Sequence, residues 1–73
     1  MNIVDLRQKL IDSNVPPDAY SLSGGLPNEA YCIERNEDGG WSTYYSERGV
    51  RTDLKKFPTE DAACEHLYRM IVR

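Results

Sequence analysis

From Ala30 to Phe57 the chain reads AYCIERNEDGGWSTYYSERGVRTDLKKF: β-rich runs broken by Asn36-Glu37-Asp38-Gly39-Gly40 and again at Arg48-Gly49. Asp-Gly-Gly favours a hairpin, because tight antiparallel turns need positive φ and these residues tolerate it best. The spacing predicts strands over Ala30–Arg35, Trp41–Glu47 and Val50–Lys56, an antiparallel meander. Its middle strand carries Trp41, Tyr44 and Tyr45. Successive side chains on a strand point to opposite faces, so Tyr44 and Tyr45 cannot share one core unless a bulge or bend intervenes. The reading expects Trp41 and Tyr45 to enter the core and Tyr44 to reach the surface.

A helix is predicted on each side of the meander. Residues 2–13 repeat apolar side chains at Ile3, Leu6 and Leu10, with Val4 and Ile11 beside them, at the spacing of one helix face. Asn2 is a candidate N-cap, Asp5 sits in the first turn, and Ser13-Asn14 before Pro16-Pro17 ends the element. After Pro58, Thr59 caps a second helix with Glu60 and Asp61 in its first turn and Arg69 and Arg73 near its end, as the dipole prefers. Its inner stripe is Ala63, Leu67, Met70 and Ile71, widened by Cys64 and Tyr68. Between the first helix and the meander, Tyr20 and Leu22 alternate as a brief extended piece, and Gly24-Gly25 reads as a plain turn. The order is α-β-β-β-α, an α+β fold: one domain over residues 1–73, a three-stranded antiparallel meander with both helices on one face. The opposite sheet face is then left open to solvent or a partner.

Seventy-three residues bury a small core, with little volume for an enclosed active site and its supporting shell. The residues argue the same way. His66, the sole histidine, has no carboxylate or hydroxyl three or four residues away and is expected on the helix surface. Glu34 and Glu47 come together as an acid/base pair only if strand pairing brings them close, and neighbouring Arg35 and Arg48 would neutralise them. The reading is a non-enzyme with no cofactor and no metal site. Cys32 and Cys64 lack nearby second ligands and are expected reduced and buried, a bridge forming only if strand and helix pack face to face.

Charge is segregated. Six acids lie between Asp18 and Glu47 against one base, Arg35, whereas Arg48, Arg51, Lys55 and Lys56 face only Asp53 between Arg48 and Phe57. The basic stretch reads as an edge strand guarded by charges. A net charge of −3 argues against non-specific nucleic-acid binding. MNIVDLRQKL is not the apolar run of a signal peptide, and no stretch approaches the ~20 apolar residues of a membrane span. The expectation is a cytoplasmic protein without membrane attachment.

The acidic segment with its surplus aromatics is read as a protein-binding face, formed by Glu34, Glu37, Asp38, Tyr44 and Glu47. Tyr and Trp dominate interface hot spots because they bury large areas and keep a polar tip.

Tyr20, Gly24-Gly25-Leu26-Pro27, Tyr31-Cys32-Ile33-Glu34, Trp41, Tyr44-Tyr45-Ser46-Glu47-Arg48-Gly49, Phe57 and Glu60-Asp61-Ala62-Ala63-Cys64 together resemble small bacterial immunity proteins of polymorphic and contact-dependent inhibition toxin systems. The resemblance covers roughly Asp18 to Ile71 and carries structural motifs only. It implies a cytoplasmic protein that binds the C-terminal domain of a cognate toxin and blocks its active site, such toxins often being nucleases or NAD-degrading enzymes; a monomer is expected over a homodimer. An acidic, aromatic face suits a cationic toxin cleft. The alternative is a small regulatory or accessory interaction domain, joined as a homodimer through the open sheet face or the third strand.

Overall fold

The computed structural model describes residues 1–72. The elements are α1 (Ile3–Asp12), a 3₁₀ turn (Pro17–Ala19), β1 (Tyr20–Ser21), β2 (Ala30–Arg35), β3 (Trp41–Glu47), β4 (Val50–Phe57) and α2 (Glu60–Ile71). Arg73, assigned to the end of the last helix by sequence, lies outside the described residues.

Both helices start where their caps place them. Asn2 Oδ1 accepts from the Asp5 amide at 2.9 Å while the Asp5 carboxylate accepts from the Asn2 amide, a complete capping box. Asn14, at φ 60°, ends α1: the Val15 amide donates to Leu10 O and the Asn14 amide to Ile11 O, which satisfies the last carbonyls. Thr59 Oγ1 accepts from the Ala62 amide at 3.1 Å and starts α2.

The helices run parallel. The Ile3 amide donates to the Glu60 carboxylate at 2.8 Å near both starts, and the Ser13 and Tyr68 hydroxyls meet at 3.3 Å near both ends. Side-by-side positive helix ends repel, and Asp5, Glu60 and Asp61, which pairs with the Met1 ammonium, offset that charge. α2 lies over β2, β3 and β4. The core joins Leu6 and Leu10 of α1, Ile33 of β2, and Ala63, Cys64 and Leu67 of α2, with Trp41, Phe57 and Tyr31 packed against it.

The sheet has four strands in the order β1-β2-β3-β4, not three. β2, β3 and β4 form the expected antiparallel meander, with Ile33 opposite Thr43 and Trp41 opposite Phe57. The addition is β1, which pairs parallel to β2, Tyr20 opposite Tyr31 and Ser21 opposite Cys32. Parallel neighbours cannot be joined by a tight turn, so the chain must travel back along the sheet before β2 begins. That return path, residues 22–29, covers the face that the sequence reading left open.

Beneath it, Tyr44 is 0 % exposed, which corrects the expectation that this ring reaches the surface. Its hydroxyl donates to the Gly25 carbonyl at 2.7 Å. Gly24 is buried against Glu34: with φ at +77°, a Cβ there would sit 2.7 Å from Glu34 Oε2 and 2.9 Å from Glu34 Cβ. Only glycine lets the backbone approach so closely. The fully buried residues around Tyr44 on this face are small, Ala30, Cys32, Ser42 and Ser46, and leave room for the loop. Cys32 and Cys64 are free and lie on opposite sides of the sheet, so the conditional bridge between them does not form.

Candidate functional site

The acids that look continuous in sequence are parted by the fold into three places. Glu37 and Asp38 sit at the tip of the β2–β3 hairpin, both exposed. The tip is held by Asn36, whose amide donates to Gly40 O and whose Oδ1 accepts from Ser42 Oγ at 2.9 Å, and by Asp38 Oδ1, which accepts from the Gly40 amide. A shallow concavity there is lined by Glu34, Arg35, Asn36, Glu37, Asp38 and Lys56, so its acids face resident cations.

Glu34 is committed elsewhere. Its Oε1 accepts from Arg51 Nη1 at 2.8 Å, across β3, and the Arg51 guanidinium lies 4.5 Å from the centroid of the Tyr44 ring. Arg51 thereby covers Tyr44 beside the loop. Burial, with Cys32 and Glu34 nearby, pushes the Tyr44 hydroxyl pKa up to about 12. Of the expected binding residues, Tyr44 is therefore a packing residue of the covered face, and Glu34 is its neighbour's salt-bridge partner.

Glu47 belongs to the third place. Glu34 stands opposite Ser42, whereas Glu47 pairs with Val50 at the other end of β3. At ~3.3 Å per residue the hairpin tip and Glu47 are roughly 20 Å apart, and Glu34 and Glu47 form no acid/base pair. On the same side of β3 as Glu47 is Tyr45, which is only partly buried and stands outside the core cluster that it was expected to join; its ring meets Tyr31 edge-to-face at 4.9 Å between centroids. These tyrosines, with Ala19, Glu29, Asp53 and Met70, line an open cleft of about 320 Å³. No Lys or Arg is among the residues lining it. Desolvation, then Glu29 and Glu47, raises the Tyr45 pKa. Met70 is in the last turn of α2, so the negative end of that helix also faces this corner.

The backbone is bent to build the cleft. Two residues of β4, Asp53 and Leu54, stand opposite the single residue Tyr44, a bulge between the Thr43 and Tyr45 pairs. Asp53 takes φ 54° there, and Glu29 takes φ 54° just before β2. Left-handed conformations are unfavourable for such residues, by ~1–2 kcal/mol, and two of them supply acids to one cleft. Sequence alternation places neither residue, because positive φ and a bulge both break the period-2 pattern. The visible signal was the Tyr44-Tyr45 pair, which demands either a bulge or two occupied faces.

His66 is half-buried, not a surface residue. Its ring packs 5.1 Å from the Phe57 centroid, and its Nε2 is buried without a hydrogen-bond partner. Desolvation, then Lys55 and Arg69, lowers its pKa. Among the described residues, no group of three or more His, Cys, Asp or Glu is placed to hold a metal ion, and no helix is long and apolar enough to cross a membrane.

No protein family, curated protein or solved structure matches this chain.

Proposed function

We propose that this protein acts by binding, as a cytoplasmic immunity protein that neutralises the C-terminal domain of a cognate bacterial toxin through its acidic, aromatic surface. The observation that carries the reading is the Tyr31–Tyr45 cleft, in which a half-buried aromatic pair meets Glu29 and Asp53 and no cation. Glu47, outside the lining, adds negative charge close enough to act on Tyr45. Such a surface steers toward a cationic cleft and anchors there by burying rings. A nuclease or NAD-degrading toxin, which must attract phosphates, offers a cleft of that charge. Glu37 and Asp38 form a separate acidic tip, reached only by a partner spanning the whole sheet.

The test is co-expression with the toxin domain encoded by the adjacent gene. Wild type protects; Tyr45→Ala combined with Asp53→Lys loses protection, while Glu37→Lys keeps it. Full protection by the Tyr45/Asp53 variant removes the cleft from the interface.

One observation favours a second reading, a homodimeric accessory domain: β4 is an exposed edge strand, with Val50 57 % and Leu54 46 % exposed. The bulge at Asp53 and the paired Lys55 and Lys56 oppose edge-to-edge pairing, so the proposed state is a monomer. Sedimentation at increasing concentration decides, since a dimer through β4 gains mass with concentration.

A further inference from the structure

We propose that the Tyr31–Tyr45 cleft is a receptor for a single arginine side chain presented by the partner polypeptide. This inference rests on the binding reading above and names the group that the site takes.

The chain already contains one complete example of the arrangement. On the covered face, Arg51 lies over the Tyr44 ring at 4.5 Å and donates to the Glu34 carboxylate at 2.8 Å. Tyrosine face, guanidinium and carboxylate are all present. On the other side of β3 the next residue, Tyr45, has a second tyrosine, Tyr31, against it and two carboxylates, Glu29 and Asp53, in the same cleft. The tyrosines and the carboxylates are repeated there, and the guanidinium is the missing member.

The chemistry selects arginine. A planar guanidinium stacks on an aromatic face and engages carboxylates through its fork of donors, whereas a lysine ammonium is a compact, strongly hydrated point charge. At about 320 Å³ and open, the cleft lies at the floor of the ~300–1,000 Å³ typical of small-molecule sites, a size suited to a side chain. Its charge repels phosphates and carboxylates. The hairpin-tip concavity lacks this selectivity, because Arg35 and Lys56 already sit among its acids.

The tyrosine ring resonances of the intact protein report occupancy. Titration with an N-acetylated, C-amidated Gly-Arg-Gly peptide is expected to shift the Tyr31 and Tyr45 ring signals saturably, with Kd on the order of millimolar for one isolated side chain. The Gly-Lys-Gly peptide should bind about tenfold more weakly. Asp53→Asn and, separately, Tyr45→Leu should each weaken arginine binding by about tenfold, while Glu37→Gln with Asp38→Asn leaves it unchanged. An unshifted Tyr44 ring and amide spectrum confirm that each variant is folded; Asp53→Asn removes only charge and serves if Tyr45→Leu perturbs the sheet. Absent shifts, equal binding of the lysine peptide, or arginine binding that survives Asp53→Asn overturns the proposal. Protection from the toxin that still depends on Tyr45 without arginine binding sinks this inference and spares the function; arginine binding without any toxin protection does the reverse.

Discussion

The two sides of this sheet are closed by different means. On one, two parallel helices bring Leu6, Leu10, Ala63, Cys64 and Leu67 onto Ile33, the usual exclusion of water by apolar stripes. On the other, a glycine-bearing loop and one arginine cover a single tyrosine, and much of the closure is polar: Tyr44 to Gly25, Ser21 Oγ to Gly24 O at 2.7 Å, and Arg51 to Glu34. The helix-covered face spreads its closure over several interlocking apolar side chains. A loop-covered face depends on a few contacts that fail singly. The comparison also separates Tyr44 from Tyr45: the first holds the loop down, and the second stands in an acidic cleft at the rim of the helix side.

The largest expected effect is on the loop-covered side. Tyr44→Ala should cost ~3–5 kcal/mol in urea unfolding, because a fully buried ring leaves a void and the loop loses its anchor. Tyr44→Phe should cost only ~1 kcal/mol, the hydroxyl bond to Gly25. A Tyr44→Ala cost near that of Tyr44→Phe would mean that the loop does not depend on the ring. Gly24→Ala follows at ~1–3 kcal/mol, since φ +77° and the 2.7 Å approach to Glu34 both oppose a Cβ. An unchanged urea midpoint would show that the loop lies farther from the sheet.

pH separates the faces next. The Tyr44 pKa is raised in the folded protein, so its contribution is fully present below the ordinary value of 10.0 and is lost as pH rises toward about 12. His66, on the helix side, has the opposite sign: its folded pKa is depressed, so the unfolded chain takes the proton first. Its contribution is present above 6.5 and is lost as pH falls below that value. Urea midpoints compared between wild type and His66→Gln should converge as pH falls from neutral toward 5, and those of wild type and Tyr44→Phe as pH rises past 10. The same pH dependence in wild type and variant would remove the assigned group. Smallest is Tyr45→Ala, expected to cost ~1 kcal/mol in stability while abolishing partner binding, the signature of an interface residue outside the core.

Much of the helix side was legible in the sequence. Apolar spacing, Asn2 and Thr59 marked both helices, and alternation around Asp38-Gly39-Gly40 marked β2 and β3 to their observed bounds, with β4 running one residue further to Phe57. The loop-covered side was not legible, because a two-residue strand such as Tyr20–Ser21 has no period to detect and its parallel pairing is a tertiary choice. Without β1, nothing routes residues 22–29 over Tyr44, and Gly24-Gly25 looks like an ordinary turn. One trace remained readable in retrospect: Ala30, Cys32, Ser42 and Ser46 are too small and too weakly charged for a solvated face. The candidate site was half legible. Acids beside aromatics pointed to the meander, but of the five expected residues none lines the cleft, and Glu29 and Asp53 reach it through positive φ, which composition does not reveal.

Nitration of the folded protein by tetranitromethane, with Tyr44 and Tyr45 distinguished by peptide fragmentation, tests the division between the neighbouring tyrosines most directly. Tyr45 should react while Tyr44 stays unmodified until the protein unfolds, and saturating arginine peptide or bound partner should protect Tyr45. Nitration of Tyr44 as fast as Tyr45 in the folded protein would contradict the account, because the loop would then not seal that face.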